Sequence, residues 1–191
     1  LGFLVKFLAA AAPLSIQAHP TREHAATRFA EAYPGYTHPN HKPEVIVAVT
    51  EFEALCGFRE VGAIQSDHGL LARADDSFSP WLTYLATSGL EGATRFALDS
   101  PIELASKLLD AADVLGSRAE LIRNISAAHP NDPGLLVTIL MNHVVLRPKE
   151  ALYLPAGNIH AYLSGLGVEV MAASDNVLRG GLTTKPIDKP E

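Results

Sequence analysis

Two short stretches and one distant histidine carry side chains that could hold a cation. In Leu14-Ser15-Ile16-Gln17-Ala18-His19 an amide and an imidazole stand two residues apart. If the segment is extended, strand alternation sends Ser15, Gln17 and His19 to one face and Leu14, Ile16 and Ala18 to the other. A side-chain carbonyl beside an imidazole is a workable start for a metal, although such a pair by itself is more often a hydrogen-bonded polar pair at a surface. Company changes that reading. Glu44 follows the stiff His41-Lys42-Pro43 segment, and His160 starts an apolar run just after the turn Pro155-Ala156-Gly157-Asn158. Gln17, His19, Glu44 and His160 together supply two imidazoles, a carboxylate and an amide, a mixture that suits one zinc ion per chain with an open coordination position. With a single carboxylate against a dication, the site stays electrophilic toward an oxygen-rich, negatively charged ligand.

Ser15, His41, Lys42, Tyr162, Asp175, Arg179 and Lys185 could handle protons and phosphate near such a site; read alone, each is ordinary solvated polarity. The setting of Arg179 argues for more. Gly180-Gly181 lets the backbone approach a ligand closely, Asp175-Asn176 turns the chain just upstream, and a guanidinium there can clamp a phosphate or polarise an oxygen. Glu169 alternates with Val168 and Val170, so it faces either the site or solvent. His24, His38, His68, His129 and His143 have no such company and read as structural or surface residues.

These side chains need a scaffold, and the composition allows one. The chain has 191 residues, 48% of them hydrophobic, enough for a large core. Lys and Arg number 15 against 21 Asp and Glu, a net charge of −6 that disfavours nucleic acid and anionic membranes as partners. Cys56 is the sole cysteine, so neither an internal disulfide nor a cysteine-only metal cluster can form. The apolar opening, residues 1–16, superficially suggests a signal peptide, but Lys6 interrupts it and no separate basic region precedes it. It is also too short and charged for a membrane span, which needs about 20 apolar residues. The absence of an initial methionine and the unstructured-looking close at residues 185–191 read as an internal stretch of a longer protein of a reducing, cytoplasmic compartment.

Three stretches follow in order. Residues 1–50 read as β, with the Gln17 segment, a turn-rich passage, and the β-branched run 45–49 as a second strand. Residues 51–133 read as helical. Ser79-Pro80-Trp81 can start a helix in which Trp81, Leu82, Leu85 and Ala86 pack. Ser100-Pro101-Ile102-Glu103 looks like a cap for a helix carried by Leu108, Leu109, Ala112 and Leu115 as far as Gly116. Ser117-Arg118-Ala119-Glu120 looks like another, ahead of Leu121, Ile122, Ile125 and Ala128. Residues 134–191 return to β, with short runs at 135–140, 144–146, 151–154, 159–163 and 168–172 separated by Gly and Pro turns. The whole is a mainly β fold with an α insertion, a sandwich or barrel such as a jelly roll, whose mouth can hold polar groups.

Several strings together resemble the type I mannose-6-phosphate isomerases, or phosphomannose isomerases. They are Pro13-Leu14-Ser15-Ile16-Gln17-Ala18-His19-Pro20, Asn40-His41-Lys42-Pro43-Glu44, Leu154-Pro155-Ala156-Gly157-Asn158-Ile159-His160-Ala161-Tyr162, Gly167-Val168-Glu169-Val170-Met171, and Ser174-Asp175-Asn176-Val177-Leu178-Arg179-Gly180-Gly181-Leu182-Thr183. The resemblance implies a cupin-type jelly roll, its first part at 1–50 and second part at 134–191, interrupted by a helical domain at 51–133. It implies zinc on Gln17, His19, Glu44 and His160, and reversible conversion of mannose 6-phosphate to fructose 6-phosphate. The family's active-site arginine falls on Arg179 and its loop lysine on Lys42. Thr184 departs from the family, standing where proline is expected. The expected N-terminal strands and C-terminal β domain lie outside this sequence.

Aldose–ketose conversion needs ring opening and a proton moved between C1 and C2 through an enediol. In the roles expected here, Asp175 assists ring opening, His41 or Lys42 moves the proton, Arg179 stabilises oxyanion charge, and Lys185 and Ser15 sit nearer the phosphate, with Tyr162 as a further substrate contact. The expected partner is a small sugar phosphate and the expected state a monomer. Two other readings stay open: a zinc-stabilised sugar-phosphate binding or regulatory cupin without turnover, and a helical protein-interaction module on a β scaffold.

Overall fold

A computed structural model describes residues 2–187. Its elements run β1 (Phe3–Ala10), β2 (Ile16–Ala18), α1 (Arg22–Ala30), β3 (Glu44–Ala48), β4 (Phe52–Phe58), α2 (Val61–Ala74), α3 (Ser79–Asp99), α4 (Ile102–Asp110), α5 (Ala119–Ala128), α6 (Gly134–Ile139), β5 (Met141–Leu146), β6 (Ala151–Leu154), β7 (His160–Ala172) and β8 (Leu178–Gly181). The eight strands pair antiparallel throughout. One ladder runs β5-β4-β7-β2-β8, and a second joins β1, β3 and β6 to the far half of β7. The architecture is an antiparallel jelly roll carrying helices, as the sequence indicates.

β7 holds both ladders together. Its residues 160–164 pair with β2 and β4, and residues 165–172 pair with β1 and β3. The sequence reading placed two strands here, at 159–163 and 168–172. The structure makes them one, because the Gly165-Leu166-Gly167 segment bends without leaving the sheet. Gly165 has φ +110°, and a Cβ there would run into the Glu51 carbonyl and Phe52, so glycine alone suits the bend.

Parity along the strands divides the packing. Ile16, Leu55, Ala161 and Leu163 turn toward the helices, where they join one core with Ile64, Leu71, Trp81, Leu108, Ile122 and Leu135. Each fully buried aliphatic side chain of this set is worth about 1.5–3 kcal/mol relative to exposure. Trp81 is a packing residue, as expected, with its indole N–H donated to the Ala93 carbonyl at 2.9 Å. The opposite parity, Phe52, Ala54 and Tyr162, packs with Ile46 and Leu154 of the second ladder. The helices therefore back one face of the sheet, and its other face meets the second ladder through this smaller core.

Four local expectations change. β4 lies within the stretch read as helical; Glu53, Ala54 and Gly57 are poor strand formers, and pairing on both sides with β5 and β7 overrides them. Residues 135–140, read as a strand, fold as α6. All six α6 residues are buried, and a short run apolar all round carries no periodicity to separate helix from strand. The helix expected to run to Leu115 stops at Asp110 and continues as a tighter 3₁₀ turn through Gly116, φ 58°. Neither expected capping box forms at its serine. Ser100 instead donates its hydroxyl to the Phe96 carbonyl at the end of α3, and α5 begins after Arg118 without a side-chain cap. The signal-like opening is strand β1, whose Lys6 stands opposite Glu169 of β7.

Candidate metal centre

The site is built from a row of cross-strand partners. Cys56 on β4 stands opposite His160 on β7, His160 opposite Gln17 on β2, and Gln17 opposite Arg179 on β8. Directly opposed residues share a face, so one line of side chains crosses four strands on the side away from the helices. His19 follows β2 with the parity of Gln17. Glu44 opens β3 in the other ladder, where it faces Met171 and Leu154. The two ladders close on each other here, bringing ligand atoms of His19, Glu44 and His160 within 4.8 Å of one another. All three side chains are buried.

Their hydrogen bonds fix which atoms face inward. His19 Nδ1 donates to the Asn176 carbonyl at 2.9 Å, and His160 Nδ1 donates to the Asn158 carbonyl at 3.1 Å. In the neutral form of either ring, that bond leaves Nε2 as the nitrogen carrying the lone pair. His19 Nε2 then lies 3.2 Å from Glu44 Oε1, and His160 Nε2 3.5 Å from Glu44 Oε2. His19 Nε2 is buried without a well-formed hydrogen bond. Two imidazole lone pairs aimed at a carboxylate repel it unless a proton or a cation sits among them. Burial alone would raise the Glu44 carboxyl, but hydrogen bonds from the His160 and His19 rings, with a proton on Nε2 standing where a cation would, and the nearby Lys42 ammonium outweigh it and hold that carboxyl well below the usual carboxylate range. An ionised carboxylate with two inward Nε2 atoms fits a divalent cation.

Gln17 has its amide nitrogen on Ser15 Oγ at 3.1 Å, so the carbonyl oxygen is the end available to a cation. Lys42 Nζ lies 3.0 Å from Glu44 Oε1 with its side chain 12% exposed, next to the cluster. His41 is half-buried, its Nδ1 without a hydrogen-bond partner. The Tyr162 hydroxyl is also buried without one; its ring is 5.8 Å from His160 and edge-on to Phe52 at 5.3 Å. Burial, with the Glu169 and Glu44 charges nearby, pushes its acidity far beyond reach of ordinary pH. Of the two orientations open for Glu169, the buried one is found: it is 2% exposed, with Lys6 Nζ at 2.7 Å. Arg179 is half-buried beside Gln17. Asp175 and Lys185 stand apart from this group. Asp175 is 86% exposed, with His38 at 3.7 Å, and Lys185 is exposed beyond β8.

Two residues that the sequence reading left in turns hold the histidines. Asn176 is 1% exposed. Its side-chain oxygen accepts from the backbone N–H of Thr37 and His38, and its amide donates to the carbonyls of His38 and Asn40. It thereby ties the loop before Glu44 to the carbonyl that orients His19. Asn158 orients His160 and also donates to Cys56 Sγ at 3.2 Å. Nothing in the sequence around Asn176 signals that it serves His19, 157 residues away along the chain.

A family model described as phosphomannose isomerase type I, catalytic domain, matches residues 1–61. The mannose-6-phosphate isomerase of Salmonella typhimurium is 40% identical over 206 residues, an alignment covering 100% of this chain and 53% of that protein. Mannose-6-phosphate isomerase 1 of Arabidopsis thaliana is 38% identical over 210 residues, covering 98% and 48%. Among solved structures, a variant of phosphomannose isomerase from Salmonella typhimurium superimposes with a TM-score of 0.88 at 40% identity, over 100% of this chain and 52% of that one. The chain spans about half the length of the curated relatives it matches.

Proposed function

This chain belongs to the type I phosphomannose isomerase family, and on that premise we propose that the whole protein interconverts mannose 6-phosphate and fructose 6-phosphate with one zinc ion per chain, held by Gln17, His19, Glu44 and His160. The observation that carries the metal part is the convergence of two inward-facing Nε2 atoms on one ionised, buried carboxylate. The same reading divides the chain into a cupin and a helical insertion; the boundary expected at 50/51 moves past β4, which pairs with β5 and β7, so the insertion runs from residue 59 to 133 and the cupin resumes from residue 134.

When bound, zinc supplies Lewis-acid polarisation of sugar oxygens. The chain's own groups do the rest. Lys42, beside Glu44, is assigned to moving the proton between C2 and C1 through an enediol, a step that requires its neutral amine; His41 is the other candidate for that transfer. Arg179, fixed in register next to Gln17, donates to the oxygen on which negative charge develops. Tyr162 adds a hydroxyl to the wall of the cup. Ser15 and Lys185 are assigned to the phosphate end, and Asp175 to ring opening. Both Lys185 and Asp175 are exposed.

A coupled assay of the full-length protein with mannose 6-phosphate, before and after chelation and zinc return, tests this function. Turnover that is lost to the chelator and restored by zinc is the expected result. Turnover indifferent to chelation removes the metal from the account, and no turnover at all removes the isomerase.

A further inference from the structure

β8, which carries Arg179, is four residues long and ends in a strained turn. Gly181 has φ +126°, and Leu182, a γ-branched residue 1% exposed, has φ 53°. A non-glycine residue in the left-handed region costs about 1–3 kcal/mol and persists when its surroundings hold it there. What holds it is one carboxylate. Asp132 Oδ1 accepts from the Leu182 N–H at 3.0 Å and Oδ2 from the Thr183 N–H at 2.9 Å, while Oδ1 also accepts from the Gly134 N–H at 2.7 Å. Three backbone donors on one carboxylate make a strong, directional clamp. The fit is close on both sides, because a Cβ on Gly134 or on Gly181 would collide with the other glycine's Cα.

The clamp joins the end of the helical region to the catalytic sheet. Asp132 sits in the turn between α5 and α6, and three residues earlier His129 Nε2 donates to the Pro13 carbonyl at 2.7 Å, just before β2. One turn therefore grips both the approach to the strand of Gln17 and the exit from the strand of Arg179, the two being cross-strand partners. We infer that Asp132 is a positioning residue for Arg179: by fixing residues 181–183 it sets the register and reach of the guanidinium over the substrate. The inference rests on the role proposed above for Arg179.

The test uses the full-length protein with Asp132→Ala, Asp132→Asn, Arg179→Ala and the Asp132→Ala/Arg179→Ala pair, measuring kcat, KM and bound metal. Misplacing a group by an ångström can cost up to about 100-fold, so Asp132→Ala is expected to lower kcat by about 10- to 100-fold. KM changes less and metal per chain does not change. With Arg179 already removed, Asp132→Ala is expected to cost less than about twofold further, the non-additivity of residues acting as one unit. Asp132→Asn keeps one acceptor oxygen but sets an NH₂ against the third donor, and falls between. The inference is overturned if Asp132→Ala leaves kcat within about twofold of wild type, or costs the same factor with and without Arg179. Should Asp132→Ala fail to fold, Asp132→Asn, alone and paired with Arg179→Ala, is judged by the same criteria. Active wild type with unaffected Asp132 variants defeats this inference alone; inactive wild type defeats the functional reading and this inference with it.

Discussion

At the scale of residues, the proposed site separates into groups assigned to holding a metal and groups assigned to acting on the sugar. His19, Glu44 and His160 are buried and mutually oriented, whereas Arg179 reaches the same face from a neighbouring strand and contributes no ligand in the proposed set. Arg179→Ala is therefore expected to lower kcat by about 10²–10³-fold, the usual loss for one donor to a developing oxyanion, with bound metal unchanged. A parallel loss of metal, measured on the same preparation, contradicts the assigned role. The meeting of His19, Glu44 and His160 was legible in the sequence because His19 obeys strand alternation and because carboxylate and imidazole chemistry restricts the choice. Asn176 was not legible. Its partners at Thr37, His38 and Asn40 lie more than a hundred residues away, and an asparagine next to an aspartate looks like any turn.

At the scale of elements, the strands that position the ligands follow local rules, and the misread ones follow their neighbours. β3 and β2 announce themselves by β-branched content and alternation. β4 is decided by pairing on both edges, and α6 by burial on every side, neither of which a local pattern records. Within the helical layer, His68 on α2 is fully buried with both ring nitrogens unpartnered, 4.1 Å from the Trp81 ring on α3. Burial lowers its pKa from 6.5 to about 4, with Asp67 raising it and Arg59 lowering it further. The unfolded chain then binds more protons than the folded one between those values, so this contribution to stability is complete above pH 6.5 and is lost as pH falls through about 4. Relative to His68→Leu, wild type is expected to lose about 2 kcal/mol of unfolding free energy between pH 7 and pH 5 in denaturant titrations. Parallel pH profiles for the two proteins would show that His68 is not held neutral.

At the scale of the whole molecule, the fold is an asymmetric sheet used on both sides. Ile16, Leu55, Ala161 and Leu163 bury one side under helices, and the opposite parity of the same strands supplies Gln17, Cys56, His160 and Tyr162 to the cup. The bend at Gly165 carries β7 from one ladder into the other, and the Asp132 carboxylate ties the turn before α6 to the chain after β8. Among the described residues no helix is long and apolar enough to cross a membrane. The account depends on one convergence, Glu44 meeting His19 and His160 across two ladders. Its most direct test is elemental analysis of the purified full-length protein beside Glu44→Gln and Arg179→Ala. The account predicts close to one zinc per chain in wild type and in Arg179→Ala, and little or none in Glu44→Gln. A full complement of metal in Glu44→Gln, or none in wild type after zinc loading, would contradict it.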